Sequence, residues 1–248
     1  MATLHSGAAI LRWRGLKILG VLNRPESPAR QRHPAVLFLH GFPGAEKNVD
    51  VQRRLLRLGI ASFSLHFAGA WGSEGEYSFS TLLPQARAAL SFLASRDFVD
   101  PRRLGVFGFS MGGWTALNLA ARAPEVRAVA AVSPVGGPEM VTSLTGKHIA
   151  HLSRALRVSS TAALTRDFKR SVAKWDPARA VSRLACPLML VHGDADDVVP
   201  VEISRRLYAL ARPPKKLVVA SGATHDFLDR REWLTRLVAD WLAGRLIG

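Results

Sequence analysis

The sequence predicts an α/β protein with a mostly parallel sheet covered by helices on both faces. Three observations predict it. Short apolar runs at 35–39, 60–65, 126–132 and 187–191 read as strands buried on both sides. Segments with helical spacing separate them, the alternation that builds parallel sheets. A further apolar run, Leu104-Gly105-Val106-Phe107, leads directly into Gly108-x-Ser110-x-Gly112 and a stretch of small residues. That is a strand breaking sharply into a helix.

In chain order, 9–13 and 16–22 form a hairpin about Arg14-Gly15, and 23–34 is a proline-rich connection. The 35–39 strand is followed by a helix over 46–58, through Val51, Leu55 and Leu58, which Gly59 can end. The 60–65 strand leads into a glycine-rich loop over 66–77 and a helix over 80–95. Asp100-Pro101 turns the chain into the strand before Ser110, and 111–122 is the helix after it. The 126–132 strand comes next. Residues 133–184 break the rhythm, being too long for a tight connection and only weakly periodic. The 187–191 strand, a helix over 201–211, a last strand over 216–220 and a closing amphipathic helix over 226–246 complete the order.

The 248 residues, 48% of them apolar, are enough for one domain with a sizeable core. No apolar run approaches the roughly 20 residues of a membrane span. The first ten residues lack a basic start followed by an apolar core, so the expected location is cytoplasmic. The single cysteine, Cys186, excludes an internal disulfide and reads as a buried structural thiol. The net charge of +15 comes from 27 arginines and 7 lysines. A basic surface can attract nucleic acid, anionic membranes or acidic substrates. Here the arginines are dispersed, and no basic run is interleaved with aromatics, so nucleic acid is not the expected partner.

A serine hydroxyl is a weak nucleophile at neutral pH. It needs a base, and the base needs an acid to fix its tautomer. On a sheet with a nucleophile elbow, the expected chain order is serine, acid, histidine at successive strand ends. Ser110 is the nucleophile candidate. His192-Gly193-Asp194-Ala195-Asp196-Asp197-Val198-Val199-Pro200 follows a later strand, and Gly222-Ala223-Thr224-His225 follows the last one. His225 is the base by position. His5, His33, His148 and His151 lie away from strand ends and carry no motif, and His192 reads as shaping the acid's own turn. Two backbone N–H groups usually hold the oxyanion of acyl transfer. Met111 can supply one at a helix N-terminus. Phe42, in His40-Gly41-Phe42-Pro43-Gly44, can supply the other, whereas Pro43 has no N–H.

With these residues in place, the chain from His40 to His225 resembles the α/β-hydrolase superfamily, closest to its esterase and prolyl-oligopeptidase-like branches. The resemblance implies the α/β-hydrolase fold with a short helical cap over 136–184 inserted in one domain spanning 1–248. In those families the acid lies in a His-Gly-x-x-Asp-x-x-Val-Pro segment, which falls on Asp196, with Asp194 and Asp197 as neighbouring competitors. The loop at 68–76 departs from the family's Arg-Gly-x-Gly-x-Ser segment: alanine stands at the arginine position, and Ser73 matches the serine. The resemblance implies carboxylic-ester hydrolysis through an acyl-enzyme, without metal or organic cofactor, on a small-molecule ester or peptide-like substrate. A prolyl-oligopeptidase-like peptidase or aminopeptidase, with Glu74 or Glu76 clamping a substrate amine, is the alternative. A non-catalytic ligand-binding protein on the same fold is the third reading. Phe42, Trp71, Phe109 and Trp114 are candidate apolar walls of the pocket. Oligomeric state has no sequence signal.

Overall fold

A computed structural model describes residues 5–26 and 31–248. Its eight strands form one sheet: β1 (His5–Trp13), β2 (Leu16–Arg24), β3 (His33–Leu39), β4 (Ala61–Leu65), β5 (Val99–Phe109), β6 (Val126–Val132), β7 (Leu188–Gly193) and β8 (Lys215–Ala220). The spatial order is β1-β2-β4-β3-β5-β6-β7-β8. β1 and β2 pair antiparallel about Arg14-Gly15, and β2 pairs antiparallel with β4. All remaining neighbours are parallel. Part of the proline-rich connection, 27–30, lies outside the described residues.

The two-residue period of a strand sorts the core into two layers. Ala35, Leu37 and Leu39 of β3 face one, and Val36 and Phe38 face the other. β6 and β7 divide likewise, with Val129, Ala131, Leu188 and Leu190 on the first side and Ala130, Val132, Met189 and Val191 on the second. α1 (Val49–Arg57) and α8 (Arg231–Leu246) cover the second face. α2 (Leu82–Ala94) and α3 (Met111–Ala120) cover the first. Between β6 and β7 lie α4 (Gly146–Leu152), α5 (Thr161–Lys174) and α6 (Pro177–Val181), and α7 (Val201–Leu210) joins β7 to β8.

Two helices start later than their periodicity suggests. Asn48 sits in the left-handed region at φ 51°, with its N–H bonded to the Glu46 side chain, so α1 begins at Val49 instead of 46. The closing helix begins at Arg231 instead of 226. Asp226 accepts hydrogen bonds from the Thr224 hydroxyl and the Leu228 amide, and Phe227 takes φ 56°, so this stretch is a capped turn. Cys186 is buried, and burial pushes its thiol up to about 11.

Candidate active site at the carboxyl ends of the strands

β5 ends at Phe109, and α3 starts one residue later. Ser110 makes the break at φ 54°, ψ −119°, where a non-glycine residue stores on the order of 1–3 kcal/mol of strain. Its amide donates to the Val132 carbonyl on β6 (2.9 Å), and its carbonyl accepts from Trp114 (3.1 Å) and Val135 (3.2 Å). The two flanking glycines are required by close backbone approach. A Cβ on Gly108 would stand 2.1 Å from the Gly112 oxygen, and one on Gly112 would stand 2.0 Å from the Leu39 oxygen. The spacing in the sequence therefore records three backbone segments pressed together. Met111 follows Ser110 in the first turn of α3, where N–H groups lack partners within the helix.

The loop after β3 is fixed by a histidine. His40 is buried, its Nδ1 lies 2.7 Å from the Gly41 oxygen, and its Nε2 lies 3.3 Å from the Phe67 amide. A carbonyl only accepts and an amide N–H only donates, so the proton sits on Nδ1 and the ring is neutral. Burial lowers its pKa to about 4, against the opposing hydrogen bond to Gly41. Gly41 packs against Ser110, where a Cβ would come within 3.0 Å of the serine Cβ. Phe42 thus borders the same space as Ser110.

The loops after β7 and β8 are stitched together. Ala195 donates to the Ala223 oxygen (3.1 Å), and the Gly222 amide donates to Asp194 Oδ1 (2.6 Å). Gly193 permits this approach, since a Cβ there would meet the Ala223 oxygen at 2.0 Å. The juxtaposition brings His225 Nδ1 to 2.7 Å from Asp196 Oδ2. Asp194 is thereby committed to the backbone, and Asp197 stands exposed beside the cavity.

Asp196 is held from every side. Its Oδ1 accepts from the Val198 (2.9 Å) and Val199 (2.8 Å) amides. Its Oδ2 also lies 3.2 Å from His192 Nε2. That nitrogen is 2.8 Å from the Val199 carbonyl as well, so it faces only acceptors and carries the proton, while Nδ1 accepts from the Ser204 hydroxyl (2.7 Å). Burial pushes the Asp196 carboxyl up, but the bonds from His192 and His225 outweigh it and hold it well below the usual carboxylate range. His192 shapes the acid's turn, as its sequence position suggests, and it also shares the acid's oxygen with His225.

Ser110, Met111, Phe42 and His225 line one cavity of about 460 Å³. Its other walls are mostly apolar and come largely from the segment between β6 and β7, with Val135, Met140, Leu144, Leu152 and Phe168 among them. His148 and His151 also line it, from α4. Sequence position alone gives these two no role because they follow no strand, and their one-turn spacing on a short helix is the only local signal that they share a face. Of the four aromatic wall candidates, only Phe42 lines the cavity. Trp114 is fully buried in the core, and Phe109 packs against the His225 ring at 5.1 Å. Trp71 is half exposed beneath Lys47, whose Nζ lies 3.6 Å from its ring centre. Glu74 accepts from the Lys17 amide (2.7 Å), and Glu76 is exposed; neither lines the cavity. Ser73 anchors its loop between the Leu19 amide and the His66 carbonyl.

The prolyl oligopeptidase family matches residues 70–246 of this chain. An uncharacterised protein of Mycobacterium tuberculosis is 31% identical over 206 residues, covering 81% of this chain and 67% of that protein. Esterase YjfP of Escherichia coli is 37% identical over 189 residues, covering 70% of this chain and 73% of the esterase. Among solved structures, Est1E from Butyrivibrio proteoclasticus superposes with a TM-score of 0.79 at 22% identity, covering 98% of this chain and 100% of Est1E.

Proposed function

The chain belongs to the prolyl oligopeptidase family and has the α/β-hydrolase fold, and from that premise we propose that it is a serine hydrolase cleaving carboxylic esters through an acyl-enzyme. The observation that carries the proposal is the Asp196–His225 hydrogen bond at the edge of a cavity that Ser110 also lines. Ser110 Oγ attacks the carbonyl carbon, and His225 Nε2 takes the hydroxyl proton. The Phe42 and Met111 amides receive the developing oxyanion. His225 then returns the proton to the leaving alcohol, the C–O bond breaks, and an acyl-serine remains. Water attacks the acyl-serine with His225 again as base, and the carboxylic acid leaves. Asp196 keeps the His225 Nδ1–H oriented and balances the imidazolium charge.

We read the 136–184 segment as a cap within a single domain over 1–248, because its side chains wall the cavity above the strand ends. The cavity's apolar lining supports a small or medium acyl group. An aminopeptidase reading needs a carboxylate for the substrate's terminal amine, and Asp197 is the cavity's only acidic side chain among the described residues. The deciding experiment is a panel of p-nitrophenyl esters against aminoacyl-p-nitroanilides, with fluorophosphonate labelling in parallel. The proposal expects ester turnover and one labelled serine. Ser110→Ala loses at least about 10³-fold in kcat and all labelling, with an unchanged melting temperature. Turnover of anilides alone turns the assignment to a peptidase, and absence of labelling in the folded protein favours a ligand-binding role.

A further inference from the structure

A second concave site lies away from Ser110, between α2, α3 and α5. It is a groove of about 670 Å³, within the range of small-molecule sites. Its floor is apolar, formed by Leu83, Pro84, Leu119 and the Trp175 ring. Its rim is cationic. Arg122 and Lys174 lie 4.7 Å and 5.0 Å from the Trp175 ring centre, and Arg170 stands one turn before Lys174.

The cations at this rim are only partly balanced. Arg87, which also lines the groove, pairs with Glu125. Among the described residues, Arg122, Arg170 and Lys174 have no carboxylate within salt-bridge distance. Arg122 donates to the Asn118 carbonyl (2.8 Å) and side chain (3.3 Å). The one acid in the groove, Asp167, spends its Oδ2 on the Ser78 hydroxyl (2.8 Å) and the Ser80 amide (3.0 Å).

We propose that this groove binds an organic carboxylate carrying an apolar chain. Its headgroup meets Arg170 and Lys174, and its chain lies on the Leu119–Trp175 floor. The negative Asp167 beside the cations favours a monoanion over a phosphate dianion. The site has a built-in connection to the first cavity. Asp167, Arg170, Ser171 and Lys174 recur at i, i+3, i+4 and i+7 along one face of α5, while Phe168 of the same helix lines the Ser110 cavity. Ligand binding in the groove and the shape of the other cavity's wall are thus properties of one helix. The binding claim itself stands independently of the hydrolase reading.

The test is calorimetric titration of sodium octanoate into the wild-type protein and into the Arg170→Glu/Lys174→Glu double variant. Both side chains are exposed, so the fold is expected to survive. Octanoate affinity should fall about tenfold or more in the variant, and wild-type binding should weaken several-fold between about 50 and about 500 mM NaCl. Should the reversed charges impair folding, Arg170→Gln/Lys174→Gln carries the same test with an expected loss of about threefold. Unchanged octanoate affinity in a folded variant overturns the proposal. So does 1-octanol or inorganic phosphate binding as tightly as octanoate.

Discussion

The serine elbow and the segment between β6 and β7 border the same cavity, yet they are built in opposite ways. The elbow is defined by main chain. Gly108 and Gly112 let three backbone segments approach to distances that no Cβ could survive, and Ser110 is forced into a left-handed φ between them. The β6–β7 segment is defined by side chains. Its helices are held by local caps, such as Ser160 accepting from Ala163 (3.1 Å) and Asp176 accepting from Ala178 (2.9 Å). It meets the cavity through Met140, Leu144 and Phe168. On the proposed function, the first region sets where chemistry occurs, and the second sets what fits there. Substitution should therefore be nearly prohibited in one and tolerated in the other.

The contrast is broken most directly by glycine-to-alanine exchange at the elbow. Gly112→Ala places a methyl against the Leu39 carbonyl and should cost several kcal/mol, on the order of 3 or more, or prevent folding. Chemical denaturation would measure it, and a variant as stable as wild type would contradict the backbone-limited account.

The next largest effect is expected from His40, which holds the loop beside the elbow. Its folded pKa, lowered to about 4, lies below the unfolded value near 6.5. The unfolded chain therefore binds the extra proton between those values, and stability rises with pH across that window. The contribution is complete above about pH 6.5 and lost as pH falls toward 4, up to about 3 kcal/mol for this buried ring. His40→Gln should flatten the slope of unfolding free energy against pH from 4 to 6.5. An unchanged slope would assign that pH dependence to other groups.

The β6–β7 segment should respond in selectivity instead of stability. Leu144→Trp fills cavity volume and should lower kcat/KM for a p-nitrophenyl octanoate about tenfold relative to the acetate, with the melting temperature nearly unmoved. The smallest effect sharpens the comparison by changing sign. Gly146, at the start of α4, has open space where a methyl would sit, with only Thr165 Oγ1 nearby at 4.0 Å. Gly146→Ala should stabilise the protein by about 0.5 kcal/mol, read by thermal melting, where the same exchange at Gly112 is ruinous.

The same contrast explains what can be read from sequence. Backbone-defined features leave residue-type signatures, so the elbow glycines, the alternation of strands and helices, and the order of Ser110, an aspartate-rich turn and His225 are visible as spacing. The choice among Asp194, Asp196 and Asp197 has no compositional basis. It depends on which carboxylate the β7 and β8 loops turn toward His225, and Asp194 is diverted to the Gly222 amide. The cavity walls are less legible still. An aromatic residue carries no mark of whether it faces core or cavity, so Trp71, Phe109 and Trp114 look equivalent to Phe42. His148 and His151 are set aside because they follow no strand, and α4, with only seven residues, is too short to show a period. The late starts of α1 and α8 come from Asn48 and Phe227 entering left-handed conformations, local exceptions that hydrophobic spacing does not encode.

A carboxylate offers about four lone-pair positions, and in Asp196 all four are occupied, three of them by donors other than His225. The anion would remain solvated by protein if the His225 imidazole swung away to hand over its proton. On the proposed mechanism, the relay keeps its fixed end anchored while its mobile end travels. Ring motion during turnover would then cost one hydrogen bond and leave no orphaned charge.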